Sequence, residues 1–289
     1  MQIYTHTLPG GAQLIGYLRD RTVEMPAFNT RPAILILPGG GYAWCSKREA
    51  DPVAMQFLQA GYNVFTLYYT CRSDETVPAL RWQPLIDAAG AILHIRRNAE
   101  QFGTDPAKIA ICGFSAGGHL ALSGAVLDIP GETAQQRPNA VILGYPVITA
   151  GEFAHRGSFV QLAGSEDAAA QQAFTLEDKV TSDTPPVFVW HTMEDQTVPV
   201  ENTLLLLTAL RRAGVPCEAH LFEKGRHGTS ISTAEVDAAS AHRHHWVELA
   251  LEWLGETFDF DLKDTLSPFH PADAGVSRSS PQQGAKDWF

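Results

Sequence analysis

The chain has 289 residues, 45% hydrophobic and 18% charged, a composition that supports a large buried core and an ordinary globular fold. Its formal net charge of −11, with Lys and Arg scattered along the sequence, excludes a basic face for nucleic acid. No stretch approaches the ~18 apolar residues that span a bilayer, and Met1 to Leu8 lacks a cationic start followed by a long apolar run, so a cytoplasmic protein without membrane contact is expected.

The first ~30 residues predict two strands turning at Gly10 and Gly11, added antiparallel at one edge of a sheet. Ala33–Leu37 is apolar throughout, as suits a strand buried on both faces, and it runs into Pro38-Gly39-Gly40-Gly41-Tyr42. A helix over Pro52–Ala60 closes at Gly61, Asn63–Tyr68 is the next buried strand, and a long helix over Pro84–Phe102 closes at Gly103. Ile109–Cys112 is a strand that leads into Gly113-Phe114-Ser115-Ala116-Gly117 and a helix over Gly118–Val126. Strands at Val141–Leu143 and Val187–Trp190, a helix over Val200–Ala213 and a strand-like Cys217–Phe222 continue the alternation. A C-terminal helix over Ala234–Trp253 follows, its buried side including some of Trp246, Leu249, Leu251 and Trp253.

This βαβ rhythm predicts an α/β fold with a mostly parallel central sheet flanked by helices. No Pro- or Ser-rich linker divides the chain, so residues 1–258 form one catalytic domain. Residues 259–289, rich in Ser, Pro, Gly and Gln, form a tail that is either packed on the surface or partly disordered. Cys45, Cys71, Cys112 and Cys217 are too widely spaced for a metal pair or a disulfide framework and are expected as free thiols.

Gly113–Gly117 has the form GxSxG between a strand and a helix, the context in which a sharp turn lifts a serine hydroxyl above a sheet. The helix behind Ser115 points its positive end at developing negative charge. The glycines after Leu37 stand where backbone N–H groups can turn toward a tetrahedral oxyanion, with Gly40, Gly41 and Ala116 as the donors. A phosphate-cradling loop is the rival for these glycines, but neither the G-K-[S/T] ending nor G-x-G-x-x-G spacing is present.

A hydroxyl needs a general base, and the base needs a carboxylate to fix its tautomer. Asp195 follows the strand Val187–Trp190 and His227 follows Cys217–Phe222, giving the order Ser, Asp, His on one edge of the sheet. Glu194 competes for the acid role, and alternation at the strand end favours Asp195. His242, His244 and His245 offer only the pair His242 and His245 at metal-ligand spacing and read as a polar helix face, so no metal site is assigned.

Four segments resemble the bacterial α/β-hydrolase esterases related to acetyl-xylan esterases and the wider hormone-sensitive-lipase-like carboxylesterases. They are Leu37–Tyr42, Gly113–Ala121, Pro185–Thr192 and Gly225–Gly228 within Arg31 to Trp253. The resemblance implies an α/β-hydrolase fold with Ser115, Asp195 and His227 as the triad and Gly40, Gly41 and Ala116 as the oxyanion hole. Two departures stand out. Pro38 replaces the His that usually opens the loop in the lipase-like branch, and Thr70 follows Tyr69 where those relatives carry Arg, which implies a differently braced loop.

The expected activity is hydrolysis of short-chain acyl, above all acetyl, esters of small molecules or acylated oligosaccharides through an acyl-enzyme, without a cofactor. The stretch of about 40 residues from Tyr145 to Pro185 has room for a minimal cap only. Tyr42, Trp44 and Trp82 are candidates to line the mouth, where aromatic faces suit sugar rings, with core packing as their alternative. An amidase, aryl-formamidase or peptidase with the same triad is the rival enzyme, and a non-catalytic binding protein on a hydrolase scaffold is the rival of another class. A homo-oligomer is compatible with the sequence, which carries no signal for or against one.

Overall fold

The computed structural model describes residues 1–74, 76, 78–128, 134–260 and 262. Among these, eight strands form one sheet: β1 (Gln2–Thr7), β2 (Gln13–Leu18), β3 (Arg31–Leu37), β4 (Asn63–Tyr68), β5 (Thr104–Phe114), β6 (Ala140–Gly144), β7 (Val187–Thr192) and β8 (Cys217–Phe222). Their order is β1-β2-β4-β3-β5-β6-β7-β8. β4, β3, β5, β6, β7 and β8 pair in parallel, while the β1–β2 hairpin joins the β4 edge antiparallel, as the sequence predicts. This is the α/β-hydrolase fold.

Side-chain alternation divides the core into two layers. Ala33, Leu35, Leu37, Ile109, Ile111, Val141, Leu143, Val187 and Val189 face helices α2 (Gln83–Arg97), α4 (Ala116–Val126) and α7 (Glu201–Ala213). Ile34, Ile36, Ala110, Cys112, Phe114, Ile142, Phe188 and Trp190 face α1 (Asp51–Gln59) and α8 (Ala241–Phe258). Between β3 and β5 the strand order reverses, and the loops leaving the carboxyl ends of these neighbours diverge to open a crevice.

Three elements differ from the sequence expectation by more than two residues at an end or by a division. The long second helix divides at Asn98 into α2 and α3 (Ala99–Phe102), because the Asn98 amide donates to the His94 carbonyl and closes the first piece. β5 starts at Thr104 rather than Ile109, pairing with Arg31 across an irregularity. The C-terminal helix starts at Ala241, since Asp237 sits at φ 54 and Ser240 caps the amide of Arg243, and it continues to Phe258.

Between β6 and β7 lie only the short helices α5 (Arg156–Ala163) and α6 (Ala168–Gln172). The four cysteines are free thiols, Cys45 and Cys71 with their sulfurs 3.7 Å apart. Among the described residues no helix is long and apolar enough to cross a membrane. Of the predicted tail only residues 259, 260 and 262 are described, Phe260 packing edge-on against Tyr62, and the rest of that expectation lies outside the described residues.

His119 of α4 is buried inside this core, donating from Nε2 to the Phe174 carbonyl and accepting at Nδ1 from the Tyr42 hydroxyl. Burial pushes its pKa down to about 4, and the Phe174 carbonyl opposes that only in part. The native state therefore prefers the neutral ring, so the His119 contribution is complete above the unfolded value near 6.5 and is lost as pH falls toward about 4. Stability should drop by about 3 kcal/mol from this residue over that window. The expected outcome is a melting temperature that falls between pH 6.5 and 4 and a flatter profile in His119→Gln.

Candidate active site

The turn from β5 into α4 leaves no spare volume. A methyl group on Gly117 would lie 2.1 Å from the Leu37 carbonyl and 2.5 Å from that of Pro38. So close a packing of α4 on the loop after β3 forces Ser115 to φ 54 and ψ −120, a region that residues with side chains rarely enter. Its hydroxyl is thereby held up at the sheet edge, beneath a cavity of about 290 Å³.

The glycine loop comes from β3. Gly40 adopts φ 126 with the Trp44 carbonyl against it, and the loop is tied down at three points. The Tyr69 hydroxyl donates to the Pro38 carbonyl at 2.6 Å, the Gly39 amide donates to Glu49 Oε2 at 2.7 Å, and the Arg72 amide donates to the Tyr42 carbonyl at 2.8 Å. This bracing stands where the sequence departs from the lipase-like pattern at Pro38 and Thr70. The amides of Gly40, Gly41 and Ala116 donate to no described residue. Gly40 and Gly41 line the cavity with Ser115, and Ala116 opens α4 directly behind it.

Asp195 and His227 arrive from the ends of β7 and β8. The Ser115 hydroxyl lies 2.8 Å from His227 Nε2, and His227 Nδ1 donates to Asp195 Oδ2 at 2.6 Å. The amides of Thr197 and Val198 donate to Asp195 Oδ1, each at 2.9 Å. The buried ring of His191 adds Nε2–H, shared between the Val198 carbonyl at 3.0 Å and Asp195 Oδ2 at 3.4 Å. Burial alone would push the Asp195 carboxyl up, but hydrogen bonds from His191 and His227 outweigh it and hold the group well below the usual carboxylate range. Glu194 is not on the imidazole: its Oε2 accepts the Gly225 amide and steadies the segment that carries His227.

A family profile described as prolyl oligopeptidase family matches residues 91–259, and one described as BD-FAE matches residues 23–141. The solved acetyl ester-xyloside bifunctional hydrolase from Caldicellulosiruptor lactoaceticus is 34% identical, with a TM-score of 0.75 over 88% of this chain and 90% of that one. The chain belongs to the α/β-hydrolase esterases. Among curated relatives of this esterase family, endo-1,4-beta-xylanase B of Butyrivibrio fibrisolvens is 39% identical over 77% of this chain and 35% of its own length. Acetylxylan esterase of Xylanibacter ruminicola is 30% identical over 78% of this chain and 45% of its own length. The chain thus spans less than half of either of these relatives.

The aromatic residues expected at the mouth of this esterase site separate. Trp44 lines the cavity and is 63% exposed. Tyr42 does not line it: the residue is 1% exposed, its ring lies between Tyr69 and His119, and its hydroxyl is spent on His119. Trp82 is exposed but packs on Phe174 at 4.7 Å, away from the cavity over Ser115. Among the described residues no group of three or more His, Cys, Asp or Glu side chains is arranged to hold a metal, and His244 bonds the Ile231 carbonyl.

Glu49, His155, Gln161 and Arg48, which the sequence does not single out, line the cavity beside Ser115. His155 accepts at Nδ1 from Ser158, which leaves its proton on Nε2, and burial, then the nearby His227, lower its pKa. A histidine heading a helix after Ala154 was the available signal, too weak to separate from an ordinary cap.

Gly117→Ala tests the packing argument for the strained turn. Its methyl group meets main-chain carbonyls that cannot swing aside, so a loss of ~3 kcal/mol or more is expected, lowering the melting temperature by on the order of 10 °C. Calorimetry of the variant against the parent chain measures it.

Proposed function

We propose that this chain is a serine carboxylesterase that hydrolyses short-chain acyl esters, acetyl esters above all, carried on carbohydrate or similar hydroxyl-rich alcohols. The unbroken line from Ser115 Oγ through His227 to the buried Asp195 carboxylate supports this assignment more than any other observation. Ser115 attacks the ester carbonyl while His227 Nε2 takes its proton, and Asp195 holds the ring in the tautomer that can accept it. The tetrahedral oxyanion is met by the amides of Gly40, Gly41 and Ala116. His227 then protonates the leaving alcohol, and water repeats the sequence to free the acid. Side chains and main-chain amides handle every proton and charge, so the chemistry needs no cofactor.

The size of the cavity supports a small acyl group, and its lining supports a polar alcohol. His155, Gln161, Arg48 and Thr197 offer hydrogen bonds, and the exposed face of Trp44 suits a sugar ring. α5 and α6 together are too short to roof a fatty chain. Relatives described as an acetylxylan esterase and an acetyl ester-xyloside hydrolase point the same way. The match to the prolyl oligopeptidase profile favours a second reading, cleavage of amides by the same triad.

Ser115→Ala is expected to abolish ester hydrolysis with an unchanged melting curve, since one hydroxyl is lost from a turn that tolerates small side chains. Full turnover by that variant would sink the mechanism. Asp195→Asn is expected to lower kcat by roughly 10³–10⁴ by holding the wrong imidazole tautomer, and Glu194→Gln far less; the reverse order moves the acid role to Glu194. On a panel of acyl esters, kcat/KM should peak at acetyl or propionyl and fall by ~1–3 kcal/mol of transition-state binding per added methylene. A preference for octanoyl esters overturns the small-acyl assignment, and faster cleavage of matched amides favours the second reading.

A further inference from the structure

Glu49 is 3% exposed, in the turn that precedes α1. Its Oε2 accepts the Gly39 amide at 2.7 Å and its Oε1 accepts the Tyr145 hydroxyl at 2.6 Å. The same Tyr145 oxygen accepts the Ser230 amide at 2.9 Å, and the Tyr145 ring lies edge-on to the His227 ring with centroids 4.9 Å apart. The Ser230 hydroxyl closes the circuit by donating to the Arg48 carbonyl at 2.5 Å. One carboxylate therefore joins the glycine loop after β3, the end of β6 and the segment after β8 that carries His227.

Its two neighbours both donate, so both oxygens must accept. A carboxylate can do this, whereas an isosteric amide offers a single acceptor and would leave one buried donor unpaired. An apolar residue would leave both unpaired. Among the described residues Glu49 makes no ion pair, so its burial is unfavourable unless charge nearby returns the difference. The titratable and charged groups that face it are Arg48 from its own turn, Tyr69 after β4, Cys112 on β5, Tyr145 after β6 and His227. Burial raises the Glu49 pKa, while the Tyr145 and Gly39 hydrogen bonds and the positive form of His227 lower it.

Building on the reading of Ser115, His227 and Asp195 as the triad, we propose that Glu49 is a positioning residue that holds the oxyanion loop in register with His227 and steadies the imidazolium formed during turnover. Both of its carboxyl oxygens are spent on Gly39 and Tyr145, so it carries no proton of the reaction. Its effect passes through Gly39 to the donors at Gly40 and Gly41, and through Tyr145 and charge to His227.

The test is kinetics of E49Q on acetyl esters, per active site counted by organophosphate burst, with the parent chain and S115A alongside. E49Q is expected to lower kcat roughly 10- to 100-fold with KM within about threefold. An inactive parent chain, or an active S115A, refutes the triad itself. With the triad intact, a parental kcat in E49Q overturns the proposal, as does a loss that disappears when activity is counted per titrated site, which marks a folding defect alone. Should E49Q fail to melt cooperatively, Y145F severs the same link without removing the charge; a several-fold fall in kcat supports the proposal and a parental kcat overturns it.

Discussion

The backbone of Ser115 is held in a conformation that disfavours any side chain by ~1–3 kcal/mol, and the surrounding structure over-determines it. β5 is fixed by parallel pairing to β3 and β6 on either side, and α4 must leave it at once to pack over the same sheet. The loop after β3 is pressed against the start of α4, so the glycine loop and the serine are positioned by one contact rather than two. The crevice at which the strand order reverses is what makes that contact available, because β3 and β5 are neighbours whose connections leave in opposite directions.

Around this turn the electrostatics are arranged in depth. Asp195 is buried and satisfied by two amides and two imidazoles, so it remains ionised and anchors His227 from one side. Glu49, also buried, accepts from two donors and, among the described residues, makes no ion pair. One buried carboxyl is thus bonded to the imidazole, and a second is joined to the glycine loop and to the tyrosine whose ring lies against it.

Strand and helix positions were legible because strands buried on both faces demand apolar runs, as at Ala33–Leu37 and Val141–Leu143, and helices close on glycines with positive φ such as Gly103 and Gly214. The Ser, Asp, His order was legible for a related reason: each residue follows a strand, so chain order and spatial edge coincide. What was illegible depends on long-range burial. Glu49 stands within Lys47-Arg48-Glu49-Ala50-Asp51, a charged run that reads as a solvated turn, and only the closing of β6 and β8 over it turns it inward. Tyr42 follows the glycine loop and reads as a mouth residue, yet its φ of 63 lies in a turn that seats the ring in the core. Asn98 and Asp237 broke predicted helices through local capping that periodicity does not register.

The wide separation of the site in sequence bears on how the molecule comes into being. Ser115 and His227 are 112 residues apart, and the histidine is carried by the segment that follows the last strand of the sheet. A chain emerging from the ribosome builds the glycine loop and the serine turn long before it has the residue proposed as their base. On the proposed mechanism the hydroxyl is an ordinary alcohol beside a half-built sheet until β8 docks on β7. Recovered activity in refolding would then report that late docking step.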